Sequence, residues 1–225
     1  MSNSDQILIV SDFHLADGSK LDDFSLKSNS LERENRLIAF MEKYSPQNIY
    51  INGDIYELWQ VKMAEIINAH PTIIKFMDYD SRVIKICGNH DYTLGGAFKV
   101  SLTTNNGKKI CITHGFKNEK HLKNKIGRFF CWIIGKIELI FPNIDNFFAH
   151  KYYLNKGTRQ KVMDYGKNLL DKGYDIVVCA HSHYLTKEEF GSKIYTNSGT
   201  CQEGKLEGVL IDLNSCEVSL VSETE

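Results

Sequence analysis

The strongest constraint on how this chain folds is a unit that recurs along it: a short apolar run that ends on a polar or charged residue. Ile7–Val10, Asn48–Ile51, Arg82–Cys87, Lys109–Thr113 and Asp175–Cys179 all have this form. Bounded by turn residues, they read as buried strands whose exits carry chemistry. Between them, Ser30 can cap a helix in which Leu37, Met41 and Tyr44 share a face, and a weaker helical periodicity covers Val61–Met77. Strand, helix, strand is the beginning of a βαβ arrangement. Beyond His181 the pattern turns to sequential strands at Glu188–Asn197, Gly208–Leu213 and Glu217–Ser222, with Asn214 and Ser215 as the hairpin turn between the last two.

Mixed βαβ units followed by sequential strands predict an α/β fold of two packed sheets flanked by helices, with loops gathered at one edge. A chain of 225 residues, 42% apolar and 24% charged, suits one such domain over 1–225 and excludes a disordered or fibrous class. The start is polar, and Ile7–Val10 is too short for a signal sequence or a membrane span, so a cytoplasmic protein is expected. Six cysteines include no C-x-x-C pair, and Cys87, Cys111 and Cys179 sit inside apolar runs, where reduced core thiols fit.

Five short blocks follow the apolar runs in order: Asp12-Phe13-His14, Gly53-Asp54, Gly88-Asn89-His90-Asp91, His114-Gly115 and His181-Ser182-His183. A lone D-x-H or H-x-H carries little weight. A string such as G-N-H-D arises by chance in about one chain per thousand of this length, and all five in order make coincidence a poor account. Carboxylate, imidazole and neutral amide donors from separate strands are the mixture that two hard or borderline divalent cations take together. Gly53, Gly88 and Gly115 read as permitting tight strand exits and close backbone approach.

Together the blocks resemble the signature of the calcineurin-like metallophosphoesterases. That resemblance implies a four-layer αββα sandwich of two mixed sheets. It implies that Asp12, His14 and His183 hold one ion, that Asn89, His114 and His181 hold the other, and that Asp54 bridges both. The cofactors implied are two divalent transition metals, manganese first, with iron and zinc suited to the same donors. A metal-bridging hydroxide is the expected nucleophile. His90 directly follows a ligand and is expected beside the scissile group as proton donor or charge stabiliser, with Asp91 fixing its tautomer; Asp91 reads equally as a cap or turn residue. Tyr56 and Trp59 read as core or rim aromatics, and His70, His121 and His150, which belong to no block, as surface or cap histidines.

Charge is unevenly divided. The chain carries a net −1, yet Lys117 to Lys161 holds eight lysines and two arginines against Glu119, Glu138 and Asp145, a basic patch on an acidic body. A helical cap insertion is expected over approximately 120–172, with Lys120, Lys123, Lys125 and Arg128 preceding the apolar stretch Phe129–Phe141. The stretch either packs on the body or forms an acyl-chain groove, with the four cations as substrate contacts or at an anionic membrane surface. Within the family, Ser11–Ser19 and Gly53–Trp59 look most like the branch related to UDP-2,3-diacylglucosamine pyrophosphatases, which also places a helical insertion between the fourth and fifth blocks. His90 departs from that branch, whose well-known lipid A enzymes have arginine there. The expected substrate is a phosphodiester or diphosphate, with a lipid-linked nucleotide diphosphate foremost and peripheral contact with the inner membrane surface. The alternatives are a nuclease or cyclic-nucleotide phosphodiesterase, in which the patch meets nucleic acid, and a non-catalytic binding scaffold.

Overall fold

The computed structural model describes residues 5–19, 22–24, 29–116 and 156–224. In chain order its elements are β1 (Gln6–Val10), α1 (Ser30–Glu42), β2 (Asn48–Asn52), α2 (Met63–Ala69), α3 (Pro71–Tyr79), β3 (Val83–Ile86), β4 (Lys99–Thr103), β5 (Lys109–Thr113), α4 (Lys156–Asp171), β6 (Ile176–Cys179), β7 (Thr186–Phe190), β8 (Lys193–Asn197), β9 (Lys205–Asp212) and β10 (Val218–Thr224). One sheet runs β10-β9-β1-β2-β3 and the other β4-β5-β6-β8-β7. β1, β2 and β3 pair in parallel, as do β5, β6 and β8, while β10, β9, β4 and β7 pair antiparallel at the flanks. The result is an α/β sandwich of two mixed sheets with helices outside both.

Burial on both faces explains why the strands read as unbroken apolar runs. Along β1, Ile7 and Ile9 enter the core between the sheets, against Ile110, Ile112, Ile176 and Val178. The alternate residues Leu8 and Val10 face outward and are covered by Leu37, Phe40 and Met41 of α1 and by Ile73 and Met77 of α3. Outside the second sheet, Cys111, Val177 and Cys179 meet Val162, Leu169 and Leu170 of α4. Parallel β5 and β6 require a crossover, and α4 lies in it. Of the expected insertion, residues 156–172 are described and their helix packs on the second sheet, while residues 120–155, with Phe129–Phe141, lie outside the described residues.

Three local features differ from expectation. Asn29 caps α1, its side chain accepting from Leu31 N at 3.0 Å, and Ser30 is the first helical residue. The periodicity over Val61–Met77 resolves into two helices because Pro71 opens α3 at its first turn, where a missing N–H does no harm. The run Glu188–Asn197 is a hairpin turning at Gly191, whose φ of 64° suits glycine. Cys87, Cys111, Cys179, Cys201 and Cys216 are free and buried, as core thiols should be, and burial pushes the Cys111 thiol up to about 11. Among the described residues no helix is long and apolar enough to cross a membrane.

Candidate metal centre

The loops leaving β1, β2, β3, β5 and β6 meet at one edge of the sandwich. They are stitched by backbone bonds: Asp12 N donates to Gly53 O at 3.1 Å, His14 N to Asp54 O at 3.0 Å, and Ala180 N to His114 O at 3.1 Å. The exits turn sharply. Asp12, His14, Asp54, His181 and His183 all have positive φ, between 47° and 66°, a region that asparagine, aspartate and histidine tolerate better than most residues. Such backbone settings cost energy and persist where the surroundings fix them, as here. Two glycines allow the loops to close up. A Cβ on Gly53 would lie 2.6 Å from His114 Nδ1, and one on Gly88 would press on Asp54 N and Oδ1.

Every described ligand predicted from sequence comes to this edge. Asp12, His14 and His183 offer ligand atoms within 4.8 Å of one another, and so do Asp54, His114 and His181. Asp54 Oδ2 stands 3.0 Å from His114 Nε2 and 3.7 Å from His14 Nε2, between the two groups. Asp12 Oδ1 is 3.1 Å from His183 Nε2 and 4.0 Å from His114 Nε2. The residues around them set the tautomers. His114 Nδ1 donates to Asn52 O at 2.7 Å and His14 Nδ1 to Glu57 Oε2 at 2.9 Å, which turns both Nε2 atoms inward.

The fit of a cation pair shows in what is left without a partner. Asp12 Oδ1, His14 Nε2, Asn89 Oδ1 and His114 Nε2 are all buried, and none has a hydrogen-bond partner. Buried polar atoms are seldom left so, and four converging from three strand ends are a donor set for divalent cations. The charges say the same. Burial alone would raise the Asp54 carboxyl, yet His114, His90 and His14 hold it well below the usual carboxylate range. Burial would lower His114, but Asp54 and Asp12 lift it to about 10, so protons occupy positions suited to metal.

The described site also contains a residue that sequence reasoning missed. Glu57, within the stretch Gly53–Trp59, is buried, and its Oε2 lies 2.6 Å from His90 Nδ1 as well as 2.9 Å from His14 Nδ1. Asp91, expected to orient His90, instead accepts from Ile55 N and Gly88 N, both at 2.7 Å, and so ties the loop after β3 to the loop after β2. The spacing favoured Asp91 as the next acidic residue along the chain; the folded partner comes from another loop. Tyr56 is a core residue and Trp59 a rim one, but Trp59 also stacks on His90 with centroids 3.7 Å apart. His70 is a cap residue, between α2 and α3, but fully buried at 0% exposure, with Asp22 and Ser30 paired to its two nitrogens. Lys120, Lys123, Lys125, Arg128, His121 and His150 lie outside the described residues.

A model of the calcineurin-like phosphoesterase superfamily domain matches residues 6–212. Among solved structures, the chain is similar to Vps29 of Chaetomium thermophilum, at 12% identity and a TM-score of 0.50, covering 100% of this chain and 97% of that one. It is also similar to the phosphoesterase Yfce of E. coli, at 13% identity and 0.46, with 96% and 98% covered. A third is an archaeal phosphodiesterase, at 15% identity and 0.47, with 97% and 99% covered. At 12% identity the Chaetomium thermophilum structure speaks to the fold alone. No curated protein sequence matches. The family match runs from the first residue of β1 to the last of β9 and so takes in every strand-end loop of the site. The chain therefore belongs to the calcineurin-like phosphoesterase superfamily and is a metal-dependent phosphoester hydrolase.

Proposed function

We propose that the chain hydrolyses a phosphodiester or diphosphate bond with two divalent cations held at the strand-end site. The observation that carries this reading is the convergence of Asp12 Oδ1, His14 Nε2, Asn89 Oδ1 and His114 Nε2, buried and without a hydrogen-bond partner, around Asp54. Asp12, His14 and His183 would hold one ion, Asn89, His114 and His181 the other, and Asp54 both. When bound, such a pair lowers the pKa of water between the ions and neutralises phosphate oxygens. The remaining work falls to the protein. Asn52 O and Glu57 keep the ligand imidazoles turned inward. His90, whose backbone N–H donates to Asp54 Oδ1 at 2.9 Å, would hold a proton for the departing oxygen.

Within that chemistry we favour a lipid-linked nucleotide diphosphate. Its support is sequence: the likeness of the first two blocks to the diacylglucosamine branch, and the cationic and apolar stretch from Lys120 to Phe141. Protein loaded with manganese should contain two ions per chain and cleave a bis-aryl phosphodiester, with activity lost in chelator. One ion or none by elemental analysis sinks the dinuclear reading. Turnover of nucleotide diphosphate sugars with and without acyl chains, cyclic nucleotides and single-stranded DNA then ranks the substrates, and acyl chains that bring no gain in kcat/KM count against the lipid.

A further inference from the structure

We infer that Glu57 is a positioning residue shared by two histidines, fixing the nitrogen that His14 presents to a cation and the nitrogen that His90 presents to the reacting phosphate. What the two histidines do rests on the hydrolase reading above; the contacts stand without it. One carboxylate oxygen, Glu57 Oε2, lies 2.9 Å from His14 Nδ1 and 2.6 Å from His90 Nδ1. A bare ring nitrogen so close to a carboxylate oxygen would set lone pair against lone pair, so both Nδ1 atoms carry hydrogen, that of His14 in an aligned hydrogen bond and that of His90 in a close charge contact outside hydrogen-bond alignment. For His14 this leaves Nε2 with a free lone pair, the buried atom that faces Asp12 at 3.9 Å and Asp54 at 3.7 Å. For His90 it leaves Nε2 as the nitrogen that gives up or takes a proton. In acid–base and metal sites a carboxylate commonly orients one imidazole in this way; here one oxygen orients two.

The surroundings restrict His90 further. Trp59, two residues beyond Glu57, stacks on the His90 ring at 3.7 Å with 21° between planes, and its Nε1 donates to Asn89 O at 3.1 Å. His14 meets the same ring edge to face at 4.5 Å. Glu57 thus holds the edge of His90 and Trp59 its face. The segment that carries both is itself pinned, since Glu57 N donates to Leu15 O at 3.0 Å and Ile55 N to Asp91 Oδ2 at 2.7 Å. The loops after β1, β2 and β3 are therefore locked together around this one carboxylate. A ligand of the first ion and the group beside the leaving oxygen are set by the same residue, so its loss should disturb metal binding and proton delivery together.

The test uses the full chain loaded with zinc, whose closed shell permits NMR. Long-range nitrogen–proton spectra of the wild type should show Nδ1–H on both His14 and His90, and an Nε2–H tautomer on His90 would overturn the inference without any variant. In Glu57→Ala, His90 should exchange between tautomers and zinc affinity should fall by about 10- to 100-fold. Glu57→Gln, which keeps an acceptor oxygen and loses the charge, should recover the tautomers and most of the affinity. Folded Glu57→Ala with wild-type tautomers and wild-type zinc affinity overturns the inference. Manganese-loaded protein separates the two readings. A wild type that cleaves no phosphoester, with the tautomer and affinity effects present, supports the role of Glu57 and sinks the hydrolase reading; an active wild type matched in every readout by Glu57→Ala does the reverse.

Discussion

Replacing His70 by glutamine should remove about 3 kcal/mol of folding stability near neutral pH, although the residue lies away from the metal centre. His70 sits where α2 meets α3 and is fully buried, with Asp22 Oδ2 2.6 Å from Nε2, Ser30 Oγ 3.0 Å from Nδ1 and Glu34 Oε1 3.6 Å from Nδ1. Asp22 also accepts from Gly18 N and Phe24 N, and Glu34 from Ile73 N, so one imidazolium joins the loop after β1 to α1 and α3. Burial alone would lower its pKa, but hydrogen bonds and charge from Asp22 and Glu34 lift it from 6.5 to about 9. At about 1.4 kcal/mol per pKa unit, that rise is worth about 3 kcal/mol. The folded pKa lies above the unfolded one, so the contribution is complete below pH ~6.5, declines through the window between the two and is gone once the pH passes ~9. Urea unfolding in chelator, wild type against His70→Gln, isolates it, because other titrating groups cancel in the difference. In a chain of this size the loss should lower Tm by roughly 6–12 °C at pH ~6.5. A difference under about 1 kcal/mol there, or one that does not shrink by pH ~9.5, would refute the reasoning.

Other expectations concern the site. Gly88 is not itself a proposed ligand, yet a Cβ there would press on N and Oδ1 of the ligand Asp54 and lie 2.8 Å from its Cγ, so Gly88→Ala should cost about 1–3 kcal/mol and empty the metal site; full occupancy by elemental analysis would contradict the geometry. His90→Ala should retain both ions while lowering turnover by about 10² to 10⁴, with partial rescue by leaving groups of low pKa; equal damage for good and poor leaving groups would assign it to charge stabilisation instead. In the metal-free chain His114 keeps its proton up to about 10, because Asp54 and Asp12 outweigh burial. An arriving cation must displace that proton, so affinity should rise by at least ~10-fold per pH unit below that value; competition titrations giving a flat profile between pH ~6 and ~8 would exclude it.

Much of the fold was legible because its cause is local. The central strands are covered on both faces, so β1, β2, β5 and β6 appear as unbroken apolar runs, and the site blocks stand out at their ends. Boundaries governed by short-range chemistry were less so. Ser30 and Asn29 are both good caps, and the choice fell to Asn29, whose side chain reaches Leu31 N. The body helix α4 was counted with the cap insertion, because helical periodicity does not say which surface covers a helix. That Val162, Leu169 and Leu170 pack on the second sheet depends on a crossover between two strands far apart in the chain.

By itself, the sequence determined which residues are available for chemistry and that they lie at strand exits, since an apolar run followed by a polar residue is a property of neighbours. What only the tertiary structure decided is how those residues pair. Asp91 adjoins His90 in the chain yet bonds to Ile55 N and Gly88 N, while Glu57, 33 positions before His90, approaches its ring to 2.6 Å. His70, the cap residue between α2 and α3, finds Asp22 across 48 residues and becomes a buried cation, so of the surface and cap readings the cap one holds. Hydrophobic burial is non-directional and leaves a periodic trace along the chain. A hydrogen bond needs a donor and an acceptor about 3 Å apart and aligned, and that condition is met only after strand register and loop backbone have fixed where each side chain points.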